Sequence, residues 1–299
     1  MEPPRPAGKR RPRPGGHARR GTDAGPGRAD EITGGTRPGP HAACPPRRIL
    51  AAAGQKTTGR RADPMKFIHL HIPKTAGTSL RESIVVAHPE LKVQGIVDPV
   101  PETIPAEVDI VSGHISHEDA MRFGGQMGTD QVVTVLRHPI DRFVSIYYFW
   151  RELYDKDIEK TRKTTTAHKL SLLDFARAMD EPELCSELYN RMSWQLHSSY
   201  RLMRRFEMRR DHGMTQDDLA EQVMANLRSF AVVGFQDHYG DFVAAINDRF
   251  KLDIENRKIN VTQRRSSVED LSHAELQAIL PWVSVDMEVY AAALREFGK

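Results

Sequence analysis

The sequence predicts an α/β fold, a mostly parallel sheet flanked by helices, on three observations. First, an apolar, β-prone run (Phe67, Ile68, Leu70, Ile72) breaks at Pro73 and passes through a small-residue turn containing Gly77 into a helix-compatible run from Thr78. Second, Gln131 to Leu136 (QVVTVL) is a continuous β-branched run, the pattern of a strand buried on both faces. Third, that run gives way at Pro139 to a helical pattern, with Ile140, Phe143, Val144 and Tyr147 at i, i+3, i+4 and i+7.

The remaining elements follow in order. Thr78 to Ala87 carries a narrow apolar stripe of Leu80, Ile84 and Val85, and Lys92 to Val97 reads as a second strand. Pro99, Pro101 and Pro105 make Asp98 to Glu107 a loop. Val108 to Ser112 reads as a third strand, with Gly113 and His114 just beyond it. The helix from Pro139 runs to Leu153, and helical patterns return at Ser171 to Met179 and Glu183 to Met208. Thr215 N-caps a helix to Phe230, Ala231 to Phe235 is a late strand, and His238 to Phe250 is a helix with Phe242, Ala245 and Ile246 inward. Ser272 and Glu275 form a capping box that opens a last packing helix to Phe297.

Composition divides the chain at Pro64. Residues 1 to 64 hold 11 of the 19 prolines, 11 of the 21 glycines, no aromatic residue, and 14 Lys and Arg against 5 Asp and Glu. Such a segment buries too little apolar surface to offset its ordering entropy, so it is expected to be a disordered basic tail preceding one domain, 65–299. The tail is +9 and the remainder −6, so the basic pI of 8.8 belongs to the tail. A nucleic-acid-specific core is disfavoured, while the tail is able to hold polyanions without specificity. Met65, directly before the first strand, is expected to be the true start, with 1–64 an over-extended gene model. No signal-peptide core and no transmembrane run is present, and Cys44 and Cys185 make no disulfide framework. A reducing, cytoplasmic location is the expectation.

The first strand, loop and helix have the chemistry of an anion site. Peptide N–H groups at a helix N-terminus lack intrahelical partners and lie at the positive end of the dipole. Lys74 adds a mobile charge, and Thr75, Thr78 and Ser79 add hydroxyl donors. The lysine precedes the glycine by three residues, which is not Walker A spacing. A strand-to-helix turn with an incidental lysine is the plainer alternative. His114 lies at the carboxyl end of the third strand, the edge where open α/β sheets bind ligands. Arg137, at the end of the fourth, and Ser145, two turns into the next helix, are able to converge on a second anion.

The string PKTAGTS, Pro73 to Ser79 with Ala76 and Gly77 between, resembles the 5'-phosphosulfate loop of sulfotransferases that use 3'-phosphoadenosine 5'-phosphosulfate (PAPS). The chain is similar in particular to the carbohydrate group around heparan sulfate 2-O-sulfotransferase and its bacterial relatives. The likeness runs patchily from Lys66 to the C-terminus. SGHIS followed by RFG resembles the segment carrying that group's general base, which implies His114 as base. Ser112 stands where the group often has a second histidine. VLRHPIDRFVSIYYFWR resembles the 3'-phosphate motif, which implies Arg137 and Ser145 as its ligands. His138 stands where an acidic residue is common. A nucleotide-closing loop is implied at Ile259 to Ser267, with Thr262, Arg264 and Arg265 as contacts. The resemblance thus implies a P-loop-like sulfotransferase fold, PAPS as co-substrate, no metal, and transfer of a sulfuryl group to a saccharide or glycolipid. Oligomeric state is not legible.

Some segments admit two readings. Residues 154 to 168 are polar and are expected to form a mobile excursion over the site. Arg191, Arg201, Arg204 and Arg205 are either an acceptor-facing surface or a solvated charged face. His69 and His71 share one strand face, but no further ligand with metal spacing is evident. Two other functions stay open. A nucleotide kinase would need a magnesium-binding carboxylate after a strand, for which Asp109 is nearest, and a polyanion-binding protein would use the tail.

Overall fold

The computed structural model describes residues 66–97, 99–178, 182–197, 213–256 and 268–298. The expectations for the 1–64 tail, for Thr262, Arg264 and Arg265, and for Arg201, Arg204 and Arg205 fall outside them. Five strands, β1 (Phe67–Leu70), β2 (Val93–Ile96), β3 (Ile110–Gly113), β4 (Val132–Leu136) and β5 (Val232–Phe235), form one sheet in the order β2-β3-β1-β4-β5. Every pairing is parallel, with Phe67 opposite Ile110, Ile68 opposite Val132 and Val133 opposite Val232. The predicted fold class is the observed one.

Two-residue alternation sends Phe67, Ile110, Val133 and Val135 to one face of the sheet. There they meet Leu80 and Ile84 of α1 (Gly77–Ala87) and Phe242 and Ile246 of the helix Tyr239–Phe250. Ile68, Leu70, Val111 and Leu136 face the other way, onto α2 (His117–Met127) and the helices Arg191–His197, Gln216–Arg228 and Ser284–Phe297. A further core under α3 (Pro139–Asp155) joins Phe143, Tyr147 and Trp150 to Phe175, Leu188 and Trp282.

Four local expectations need correction. First, α2 was unexpected. Gly124 and Gly125 lower its helix propensity, yet a Ser116–Asp119 capping box starts it, and Ala120 and Phe123 are fully buried. Second, residues 154–168 are not an excursion over the site. Their first two residues end α3 and the last seven fold into α4 (Arg162–Lys169), which buries Thr164 and Ala167 against α3 and is tied to it by Arg151 bonding the Leu170 carbonyl. Third, Glu183 to Met208 is not one helix. α5 (Leu172–Arg177) is followed by α6 (Pro182–Leu188) and α7 (Arg191–His197), separated by Asn190 at φ 42°. Arg191 is 2 % exposed and paired with Glu187, so it faces neither an acceptor nor solvent. Fourth, the last helical run is interrupted at Pro281 by a 3-10 turn, Leu280–Trp282, which turns Trp282 into the core and leaves Leu280 outside. The remaining helices are α8 (Gln216–Arg228), α9 (Tyr239–Phe250), α10 (His273–Ile279) and α11 (Ser284–Phe297).

The α6–α7 break is fixed by α11. Asn190 donates its N–H to the Trp282 carbonyl at 2.7 Å, and its Oδ1 accepts from Val285 and Asp286. Asp286, fully buried, accepts from the Met192 and Ser193 N–H groups and the Ser193 hydroxyl, and lies 3.7 Å from Arg142 Nη2. It therefore caps α7 from a distance and balances a buried guanidinium. Removing one partner of such a pair leaves an uncompensated charge. Asp286→Ala should therefore lower stability by about 3–5 kcal/mol, read as a fall in the urea midpoint at unchanged slope.

Candidate active site

Connectivity determines where a ligand can sit. α1 leaves β1 over one face of the sheet, and α2 returns over the other before β4 pairs with the opposite side of β1. The carboxyl ends of β1 and β4 therefore bound a topological switch point. Residues 71–76 follow β1 there, and Arg137 follows β4.

Within the loop, Lys74 and Ala76 both adopt φ 71°, a left-handed conformation that L-residues pay for in strain. The surrounding bonds hold it. Arg137 Nη1 donates to the Lys74 carbonyl at 2.9 Å across the switch point. Ser79 N–H donates to the Ala76 carbonyl at 3.0 Å and starts α1. Thr75 corrects an expectation: its hydroxyl points inward and donates to the Ile72 carbonyl at 2.8 Å, so it closes the turn and is not a ligand donor. Pro73, Lys74, Ala76 and Thr78 are partly exposed, while Gly77 and Ser79 are buried.

The start of α1 differs from the capped helix starts, and from the uncapped α3, α9 and α11, which carry an acidic residue in the first turn. α2, α8 and α10 each open with a capping box, their N–H groups satisfied by Ser116, Thr215 and Ser272 and their dipoles faced by an acidic residue. α1 has no side-chain cap and no acidic residue in its first turn. Lys74 holds its ammonium 3.9 Å above the Phe149 ring of α3.

Arg137 is 4 % exposed. Beyond its bond to the loop, its Nε and Nη2 are buried and have no hydrogen-bond partner among the described residues. Unsatisfied buried guanidinium donors are costly, and a bidentate anion would satisfy both. Ser145 is buried two turns into α3, but no direct contact joins it to Arg137 among the described residues. Asp109, the candidate magnesium ligand, accepts the Lys92 N–H at 2.9 Å at the start of β3, away from this edge.

Gly113 is the last residue of β3 and is not beyond it. His114 follows, its N–H bonded to the Ile96 carbonyl at 3.1 Å, and its ring lies 4.8 Å from that of His71. His69 Nδ1 and Ser112 Oγ are hydrogen-bonded at 2.9 Å, so the serine at the second-histidine position serves a buried imidazole. Gln195 of α7 falls in the Glu183 to Met208 helical pattern, and the sequence assigns it no role. It is fully buried and donates from Nε2 to the carbonyls of His71 and Ile115, tying the ends of β1 and β3 together. No sequence spacing signals that contact, because it joins residues 124 and 80 positions apart.

A family model described as the sulfotransferase family matches residues 60–291. The chain belongs to the sulfotransferase family. No curated protein matches it. Among solved structures, mouse sulfotransferase SULT7A1 complexed with PAP is similar at 13 % identity and a TM-score of 0.30. The match covers 65 % of this chain, which spans 62 % of the length of that one. In this member of the family, an uncapped helix start lies beside Lys74, and two donors of Arg137 without partners among the described residues lie across the switch point, a donor set that fits anions. No group of three or more metal-ligating side chains gathers among the described residues.

Burial, reinforced by the charge of nearby His114, pushes the His69 imidazole down to about 3. The unfolded chain takes up this proton near the ordinary value of about 6.5 and the folded chain only near 3, so stability is lost as pH falls between them. His69→Asn should reduce the acid slope of unfolding free energy between those limits by about 1.4 kcal/mol per pH unit. Urea titrations across that range measure it.

Proposed function

We propose that the chain transfers a sulfuryl group from PAPS to a hydroxyl, with a saccharide or glycolipid as acceptor. The observation that carries the proposal is Arg137: its Nη1 bonds the loop at Lys74 while Nε and Nη2, both buried, have no partner among the described residues. That pattern is expected of a residue waiting for an anion in a fixed place.

When bound, PAPS supplies an activated sulfuryl group on its 5'-phosphate and a separate 3'-phosphate. The Gly77 and Thr78 N–H groups, at the uncapped start of α1, bind the first anion, with the Thr78 and Ser79 hydroxyls beside them. Lys74 brings positive charge to the oxygen that leaves. Arg137 and Ser145 hold the 3'-phosphate, which selects this nucleotide over those lacking it. Thr262, Arg264 and Arg265 would close over the nucleotide, on resemblance alone. His114, at the carboxyl end of β3, takes the acceptor proton as general base. The kinase alternative weakens because Asp109 is already engaged by Lys92 at the opposite end of its strand. A cytoplasmic setting fits a buried Cys185 that forms no disulfide among the described residues, and no helix among the described residues is long and apolar enough to cross a membrane.

Calorimetric titration with 3'-phosphoadenosine 5'-phosphate (PAP), against adenosine 5'-phosphate as control, tests the proposal. The wild-type chain should prefer PAP strongly, and Arg137→Ala should lose on the order of 2–3 kcal/mol of that preference. Equal weakening towards both nucleotides would remove Arg137 from the 3'-phosphate. Lys74→Ala should keep PAP binding but cost about 3 kcal/mol in transition-state stabilisation, measured as transfer of label from PAPS. Undiminished turnover would exclude the role given to Lys74.

A further inference from the structure

His71 has no role in the mechanism above, yet it occupies the space between the parts that do. Alternation along β1 turns His69 and His71 towards α1, and the two rings stack at 5.4 Å. The backbone of His71 is fixed on both flanks: its N–H donates to the Gly113 carbonyl at 2.9 Å, and its carbonyl accepts from Gln195. The ring then meets His114 on one side at 4.8 Å. On the other side it meets Gly77, the first residue of α1, where an added Cβ would come within 2.0 Å of His71 Cδ2. Glycine at position 77 is thus the condition for this imidazole to lie against the loop. Among the described residues no hydrogen bond engages either ring nitrogen.

We propose that His71 is a further catalytic residue, donating a ring N–H to a sulfuryl oxygen in the gap between His114 and the Gly77 end of the loop. This rests on the sulfotransferase reading above and on His114 as base. The groups facing the ring are His114 beyond β3, His69 on β1, Arg81 on α1 and Lys74 in the loop. Burial first, and then these charges, hold the imidazole well below its ordinary value. It stays neutral, with one N–H to give and no tendency to compete with His114 for the acceptor proton. During transfer, the acceptor O–S bond forms while the S–O bond to the 5'-phosphate breaks and its electron pair leaves on the phosphate oxygen. His114 takes the acceptor proton, and His71 keeps its own throughout.

The test compares His71→Phe, which keeps a ring of similar size without a donor, with His71→Gln, which keeps a donor without the ring. PAP lacks the sulfuryl group, so both variants should bind it as wild type does. Affinity for PAPS relative to PAP should fall about tenfold or more in His71→Phe and be largely retained in His71→Gln. Release of labelled sulfate from PAPS, with water as acceptor, should fall about 100-fold in His71→Phe only. In the ligand-free protein, ¹⁵N-histidine spectra should show His71 neutral between about pH 5.5 and 8. An unchanged PAPS-to-PAP ratio in His71→Phe, equal losses in the two variants, loss of PAP binding in His71→Phe, or titration of His71 near the ordinary value would each overturn the assignment. Failure of the wild-type chain to bind PAP would instead bring down the sulfotransferase reading on which it rests.

Discussion

The hydrogen bond from Arg137 to the Lys74 carbonyl is the constraint on which the carboxyl edge of the sheet depends. It joins the end of β4 to a loop that leaves β1, and it does so at a residue in a left-handed conformation. A loop with two such residues would relax unless something over-determined it. The same guanidinium keeps two further donors buried and unmatched. One guanidinium therefore both holds the loop and keeps two further donors at the switch point, where we propose that an anion binds. This makes the plain structural reading of Arg137 incomplete. Arg142 also buries an unpartnered Nε and Nη1, but Asp286 balances its charge, whereas no ion pair engages Arg137 among the described residues.

The second constraint is Gln195. It holds the carbonyls after β1 and β3 at one distance, and so fixes the separation of His71 and His114, whose backbones it braces directly or through the neighbouring Ile115. α7 can present this side chain because the break at Asn190 lets it start where Asp286 caps it. A buried ion pair in the C-terminal half of the chain is thereby linked to the spacing of two imidazoles at the sheet edge. The argument is one of contiguity: Asp286 orients α7, α7 carries Gln195, and Gln195 fixes the strand ends.

The parts legible in the sequence are those encoded by local pattern. The strands at Phe67 and Val132 are apolar at all but one position each and buried throughout, and the Thr215 and Ser272 caps lie next to the helices they start. The uncapped helix start at Gly77 was also readable, since the strand, the turn with Lys74 and the helix are neighbours in the chain. The errors share another cause. α2 and α4 have weak apolar patterns and are stabilised by caps and by packing against α3 and the sheet. Arg191 looks like a surface charge, and it is buried because Glu187 and the Ser186 carbonyl receive it. Thr75 looks like a ligand donor, and it is taken up by the Ile72 carbonyl because the turn needs closing. In each case a long-range or turn-specific partner outweighs residue type.

The histidines show the same limit and what overcomes it. From sequence, His69 and His71 are two residues on one face of a strand, which suggests a metal pair or nothing. In the fold they diverge. His69 is sealed in the core with Ser112 as its partner, and its role is packing. His71 lies one turn of the alternation further on, where the strand ends and the loop begins, so the same face that buries His69 opens at His71 onto Gly77 and His114. Two identical side chains in one pattern thus take different work because the strand stops between them. Chemistry at the edge of a parallel sheet follows from where each strand ends, which periodicity locates only to within a residue or two. Two positions separate the core imidazole of His69 from that of His71, which we place at the site.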